Sequence, residues 1–160
     1  MDIFTVSLFG HREIDDLLDM EKRLAPFVKH LLRKKCYVSF IIGRSGEFDE
    51  YAASVIKRVR KEVGTENSDI TLVLPYEVAD LEYYEKYYDD ILIPESLHGS
   101  HPKFAITARN RWMVEHSDIV LAYVKRECGG AYAAVKYALK LEKEVFNLCN
   151  RESIEFGEFI

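Results

Sequence analysis

The sequence predicts a single α/β domain, a Rossmann-like three-layer sandwich with a mainly parallel sheet of about five strands. Three observations carry this. Short apolar runs rich in β-formers alternate with longer amphipathic stretches of helical period. Several of these runs close on glycines just before the next helical stretch. No internal repeat, low-complexity tract or Pro/Gly/Ser-rich linker divides the 160 residues into separate units. Strands joined through single helices require right-handed crossovers, which make the sheet parallel and put helices on both faces. The domain is expected over residues 1–150, with residues 151–160 a short C-terminal appendage.

The run from Ile3 to Phe9, closed by Gly10, is short and apolar, the pattern of a central strand buried on both faces. From Ile14 to Leu32 apolar residues recur at helical spacing, with Asp15, Asp16 and Glu21 early and Arg33 and Lys34 late, as the helix dipole favours. Pro26 is expected to kink this helix. Cys36 to Ile42 is a second strand stopped by Gly43, and Glu47 to Val63 a second helix with Gly64 as its C-cap. Ile70 to Leu74, followed by Pro75, is the third strand. The segment from Val78 to Pro102 is less regular and is expected to form a lid. It holds Tyr83, Tyr84, Tyr87, Tyr88, the short apolar run Ile91 to Ile93 and the loop LHGSHP. Ala105 to Glu115 reads as a helix, Ile119 to Val124 as a strand, Ala131 to Leu141 as a helix behind a Gly-Gly turn, and Val145 to Cys149 as the closing strand.

With 48% hydrophobic and 31% charged residues the chain is neither disordered nor collagen-like. Its net charge of -5, from 22 Lys+Arg against 27 Asp+Glu, argues against gripping a phosphate backbone by bulk electrostatics. Nucleic acid is therefore not an expected partner, and any anion must be bound locally. The three cysteines, Cys36, Cys128 and Cys149, form no C-x-x-C pair and lie in or beside apolar stretches. They read as reduced core or edge thiols of an intracellular protein. The N-terminus lacks the basic region and cleavage site of a signal peptide, and no apolar run is long enough to cross a bilayer, so the expected location is the cytoplasm, without a membrane partner.

In an open parallel sheet the binding crevice lies beyond the carboxyl ends of the strands. Here those ends carry Gly10, His11 and Arg12; Gly43, Arg44, Ser45, Gly46 and Glu47; Pro75 and Tyr76; and Glu127, Cys128, Gly129 and Gly130, with Tyr132 just beyond. Glycine where a strand turns into a helix lets backbone N–H groups approach an anion while the helix N-terminus adds favourable charge. The same glycines also serve as plain tight turns, and neither G-x-G-x-x-G nor G-x-x-x-x-G-K-[ST] occurs. His11 and Arg12 have no packing reason to follow a buried strand. Arg109 and Arg111, two positions apart on a helix, cannot both face the crevice; Arg109 is preferred, with Asn110 beside it.

Arg12 and Arg109 are expected to clamp an anion with little effect on fold stability, and Gly46 to resist substitution because a side chain would push the ligand away. His98 and His101 read as loop histidines, not ligands, since no partner set has zinc-like spacing; no metal and no cofactor are expected. The four tyrosines of Leu81 to Tyr88 offer more aromatic surface than one buried stripe needs, which predicts a homo-oligomer, a dimer at least, with this helix in or near the contact.

The succession VSLFGHREI, IIGRSGEFDEYAA, LVLPY, ARNRWMVEHSDIVLAYV and GGAYAAVKYALKLEKEV resembles the SLOG superfamily, the Rossmann-like group named after the SMF/DprA and LOG proteins, and looks closest to its YpsA-like branch. The resemblance implies binding of nucleotides or nucleotide-derived ligands at the glycine loops, with Gly10, Arg12, Gly43, Ser45, Gly46, Glu47, Arg109, Gly129 and Gly130 as the ligand shell. LOG phosphoribohydrolases carry PGGxGTxxE. The matching stretch here is CGGAYAAVK, with Ala133 in the Thr place and no carboxylate in the Glu place. The reading is thus a binding module for a small phosphorylated nucleoside derivative, such as ADP-ribose, an NAD-related molecule or a cyclic nucleotide signal, in sensing or sequestration. The alternative is an enzyme acting on an N-glycosidic bond, deoxyribosyltransferase-like or phosphoribohydrolase-like, drawing its carboxylate from Glu47, Asp49 or Glu50, with Glu47 and Glu50 the first candidates. DNA binding in the manner of DprA is a third class, weakened by the acidic balance.

Overall fold

The computed structural model describes residues 2–150; the appendage expected over residues 151–160 lies outside the described residues. Six strands alternate with five α-helices: β1 (Phe4–Gly10), α1 (Leu17–Lys34), β2 (Val38–Ile42), α2 (Glu47–Val63), β3 (Ser68–Val73), α3 (Leu81–Tyr87), β4 (Asp90–Leu92), α4 (Pro102–Glu115), β5 (Ile119–Tyr123), α5 (Gly129–Lys140) and β6 (Glu144–Asn147). The sheet is parallel throughout and runs β4-β3-β2-β1-β5-β6. The chain builds outward from β1 to β4, then returns through α4 to place β5 on the other side of β1. The strand order therefore reverses between β1 and β5, where open α/β sheets hold their ligands.

Alternation along the strands supplies two apolar layers. Val6, Leu8, Phe40, Ile42, Leu121 and Tyr123 face α1 and α2, with Phe27, Phe48 and Ile56 among their neighbours. Phe9, Ile41, Val73 and Val120 face α4 and α5 with Met113, Val114, Ala134 and Ala138. Because both faces are covered, the central strands are mostly apolar, and the buried Ser7 of β1 is satisfied by donating to the Met113 carbonyl at 2.8 Å. α1 begins where Asp16 accepts a hydrogen bond from the Asp19 N–H, and the helix runs unbroken past Pro26. α2 spans its expected length and ends at Gly64, whose φ of 119° suits glycine. No helix among the described residues is long and apolar enough to cross a membrane.

The segment from Val78 to Pro102 departs from the expected irregular lid. It contains α3 and a sixth strand, β4, whose three residues pair with Thr71, Leu72 and Val73. A buried cation fixes this edge: Arg60 Nε donates to Ser68 Oγ at 2.8 Å and Nη1 meets Asp89 Oδ2 at 2.7 Å, while the same Asp89 oxygen accepts the Ile70 N–H at 2.8 Å. The tyrosines also differ from expectation. Tyr88 lies beyond the helix in extended backbone (φ -108°, ψ 151°) and is 3% exposed in the core. The large apolar surface left on α3 is that of Leu81 and Tyr83, and replacing Tyr88 would empty the core, not a contact between copies. Cys36 and Cys128 are exposed and Cys149 half-buried, so none is a core thiol.

Gly10 is required by close approach, not by a special φ: a Cβ there would enter the Phe48 ring. Gly10→Ala is expected to destabilise the fold by about 1–3 kcal/mol through overpacking, read as a lower urea midpoint at unchanged slope. An unchanged midpoint would show that Phe48 has room to turn away.

Candidate functional site

At the switch point lies a cavity of about 360 Å³, floored by the ends of β1 and β2 and walled by α4 and the start of α5. It brings together Gly10, His11, Arg12, Gly43, Ser45, Arg109, Asn110, Gly129 and Gly130, all singled out from the sequence. It also contains Asp49, Ile106, Arg126, Cys128 and Ala131. Arg44, Pro75 and Tyr76 line a smaller neighbouring lobe. Gly46, Glu47, Glu50 and Tyr132 do not line the cavity.

Arg109 is the best-determined group in it, at 3% exposure. Its Nη1 donates to the Val73 carbonyl at 3.0 Å, Nη2 to Ser45 Oγ at 2.9 Å and Nε to Asn110 Oδ1 at 2.8 Å. Gly43 lacks a side chain because a Cβ would collide with this guanidinium. Burial pushes the Arg109 pKa down from its ordinary value, opposed chiefly by the nearby Asp49 charge. Arg109 is thus a brace across the ends of β2 and β3 as well as a cavity wall, so its removal is expected to cost stability, where the sequence predicts little effect. Arg12 is exposed and has the free reach that Arg109 lacks.

His11 has the structural reason the sequence did not reveal. Its Nε2 accepts the N–H groups of Lys125 and Arg126 at 3.1 and 3.0 Å, which places the ring proton of the neutral form on Nδ1. Burial and the charge of Arg126 hold its pKa down. The histidine pins the loop that leads into α5. That helix starts with Cys128 as N-cap and Gly129 at φ 90°, and no atom lies near the position a Gly129 Cβ would take. Gly129 and Gly130 of its first turn line the cavity, with the Asn110 side chain beside Gly130.

The carboxylates fall differently from expectation. Glu47 Oε2 accepts the Ile14 N–H at 3.0 Å, and the Glu47 N–H donates to the Arg12 carbonyl at 2.8 Å, so Glu47 ties α2 to the loop after β1. Glu50 points outward to Arg44 at 3.1 Å. Gly46 is extended (φ -176°); it is glycine because a Cβ would strike the Arg12 backbone, not because of a left-handed turn. Tyr132 packs beside Ala122, Val124 and Val135. The carboxylate that does line the cavity is Asp49, 8% exposed, with Oδ2 accepting the Ser45 N–H at 2.8 Å. Burial raises its pKa to about 6, against the lowering effects of that hydrogen bond and of Arg109. Asp49 and Arg126 carry no local sequence signal that separates them from the charged residues around them.

The fold and crevice define an open parallel α/β protein with a mostly cationic switch-point cavity, three arginines against one carboxylate. It has a Rossmann-like fold of the kind seen in DprA and in the molybdenum cofactor carrier protein. DprA from Streptococcus pneumoniae aligns with a TM-score of 0.64 at 16% identity, over 91% of this chain and 50% of that one. DprA from Helicobacter pylori, described with its single-stranded DNA binding mode, aligns at 0.61 and 14%, over 90% and 64%. The Moco carrier protein of Chlamydomonas reinhardtii aligns at 0.57 and 18%, over 93% and 77%. The chain thus spans half the length of the first DprA and under two thirds of the second. No family model and no curated protein sequence matches it. The narrower YpsA-like affinity rests on the sequence motifs alone.

These neighbours correct one expectation. Nucleic acid was set aside on the net charge, yet a DprA neighbour binds single-stranded DNA. Net charge averages over the whole surface, whereas a phosphate meets only the local field, here that of Arg12, Arg109 and Arg126.

Because burial favours the protonated form of Asp49, the folded chain holds that proton more tightly than the unfolded one. Its contribution to stability is full below the ordinary carboxylate value of 3.8 and is lost as the pH rises through about 6. Asp49→Asn keeps an acceptor for Ser45 and removes the charge. Relative to wild type it is expected to gain on the order of 2 kcal/mol between pH 4 and pH 7.5, from urea midpoints. A pH-independent difference would show that the carboxyl titrates normally.

Proposed function

We propose that this crevice binds a small phosphorylated nucleoside derivative, with the phosphate against the first turn of α5 and between Arg12 and Arg126. The observation that carries the reading is the glycine start of α5, with Gly129 at φ 90° and open space beside it, in a cavity lined by three arginines. Helix N–H groups and guanidinium donors together form an anion site of the kind phosphates occupy. ADP-ribose, NAD-related molecules and cyclic nucleotides all present such a group, and so does a strand of the single-stranded DNA bound by the DprA neighbour. The role is recognition, in sensing or sequestration.

A second reading, cleavage of an N-glycosidic bond, draws on one observation. Asp49 is a buried carboxyl inside the cavity with a pKa near 6, suited to exchange a proton near neutrality. Chromatography of a nucleotide panel after incubation separates the two: unchanged nucleotides with saturable binding favour recognition, and a released base favours turnover.

Arg12→Ala and Arg126→Ala are each expected to weaken binding of the best nucleotide by about 1.5–3 kcal/mol in a calorimetric titration, the range for a charged hydrogen bond. Both side chains reach solvent, so urea midpoints should stay put. Equal affinity in both variants would take the phosphate away from this end of the cavity.

A further inference from the structure

The crevice has a second compartment. A lobe of about 200 Å³ shares Arg12, Ser45, Ile106 and Arg109 with the main cavity and continues toward the end of β3. Its own walls are Leu74, Pro75, Tyr76, Val78, Tyr84 and Arg44, with two tyrosine rings where the main cavity has none. Arg44 is fixed in place: Nη2 lies 3.1 Å from Glu50 Oε1, and the guanidinium sits 4.8 Å from the Tyr84 ring centroid and 5.5 Å from that of Tyr83. Tyr76 is the opposite case. It is 49% exposed, and among the described residues no aromatic ring stacks on it and no cation covers it.

A free tyrosine face and a pre-oriented guanidinium, beside Leu74, Pro75 and Val78 and next to the proposed anion site, suit a planar π-system. Such rings stack on tyrosine and on arginine with little dependence on their identity. A phosphate would meet arginines here as well, but the start of α5 does not line this lobe, whereas the rings of Tyr76 and Tyr84 do. We infer that the lobe is a ring-stacking subsite: it takes the planar heterocycle of the ligand whose phosphate lies at α5, with Tyr76 as the stacking face. This rests on the phosphate reading above and adds the orientation of the ligand, ring toward β3 and phosphate toward α5.

The test compares ligands with and without the ring. Adenosine 5′-monophosphate, ribose 5-phosphate and a short oligothymidylate are titrated into wild type, Tyr76→Ala and Tyr76→Phe. Tyr76→Ala is expected to lose about tenfold in affinity for the ring-bearing ligands, to leave ribose 5-phosphate unchanged, and to be rescued by phenylalanine. A loss confined to the nucleotide supports the subsite with a free nucleotide as its occupant, and a loss confined to the oligothymidylate supports it with a single strand. Ring-bearing ligands that bind Tyr76→Ala as tightly as wild type overturn the subsite alone, as does an equal fall for ribose 5-phosphate. Wild type that binds none of the three overturns the phosphate reading and the subsite with it. Tyr76 is half-exposed, so the variants are expected to fold.

Discussion

The crevice depends on one buried guanidinium. Taking a charge out of water is costly unless its donors and its charge are both answered. Arg109 meets that condition with the Val73 carbonyl, Ser45 Oγ, Asn110 Oδ1 and the nearby Asp49 carboxyl. The consequence is architectural. α4 carries the chain back across the sheet from β4 to β5, and its arginine ties that crossover to the end of β3 and the loop after β2. Asp49 holds the same loop from the other side through the Ser45 N–H. Gly43 and Gly10 are small because Arg109 and Phe48 occupy the space their side chains would need. The shape of the cavity floor follows from these contacts before any ligand is considered.

Much of the fold was legible because its signals are local. A strand buried on both faces is mostly apolar, a helix over it is amphipathic, and the turn between them is marked by glycine. β1, β2, α2 and β5 each satisfy such a rule within a residue or two. β4 does not: it is three residues long, and what makes it a strand is pairing with β3 and the Arg60–Asp89 contact, 29 residues apart in sequence. Tyr88 misled for a related reason. Counting helix faces from Tyr84 assumed that the helix continued, whereas it ends at Tyr87 and the next residue turns inward to the core.

Which residues line the switch-point cavity was partly legible, and what most of them contact was not. The rule that ligands gather beyond the carboxyl ends of parallel strands led to Gly10, Gly43, Arg109 and Gly129 without knowledge of the fold's details. It could not tell a wall from a brace. His11 serves the backbone of Lys125 and Arg126, more than 110 residues away, and Glu47 serves Ile14, 33 residues away. Such partners are fixed by strand order, which no local spacing reveals. Asp49 and Glu50 look alike in sequence, yet the turn of α2 sends one into the cavity and the other toward Arg44. The net charge failed in the same way, since an acidic chain concentrates three arginines at one end of its sheet.

The opposed charges of the crevice also constrain what its carboxyl can do. On the proposed reading, an anion at α5 would share one small cavity with an ionised Asp49, and each would disfavour the other unless water or Arg109 intervened. Arg109 already favours the ionised form, while burial works against it and prevails, leaving the pKa near 6. A phosphate bound as proposed would add to the side of burial. Proton and phosphate would then be linked ligands of this cavity: the form of Asp49 that carries the proton is the form that would best tolerate the anion, and reciprocity requires that the anion in turn strengthen the hold on that proton. A carboxyl kept protonated in this way is placed to donate a hydrogen bond or a proton, whereas acting as a base or nucleophile would require it first to ionise beside the anion.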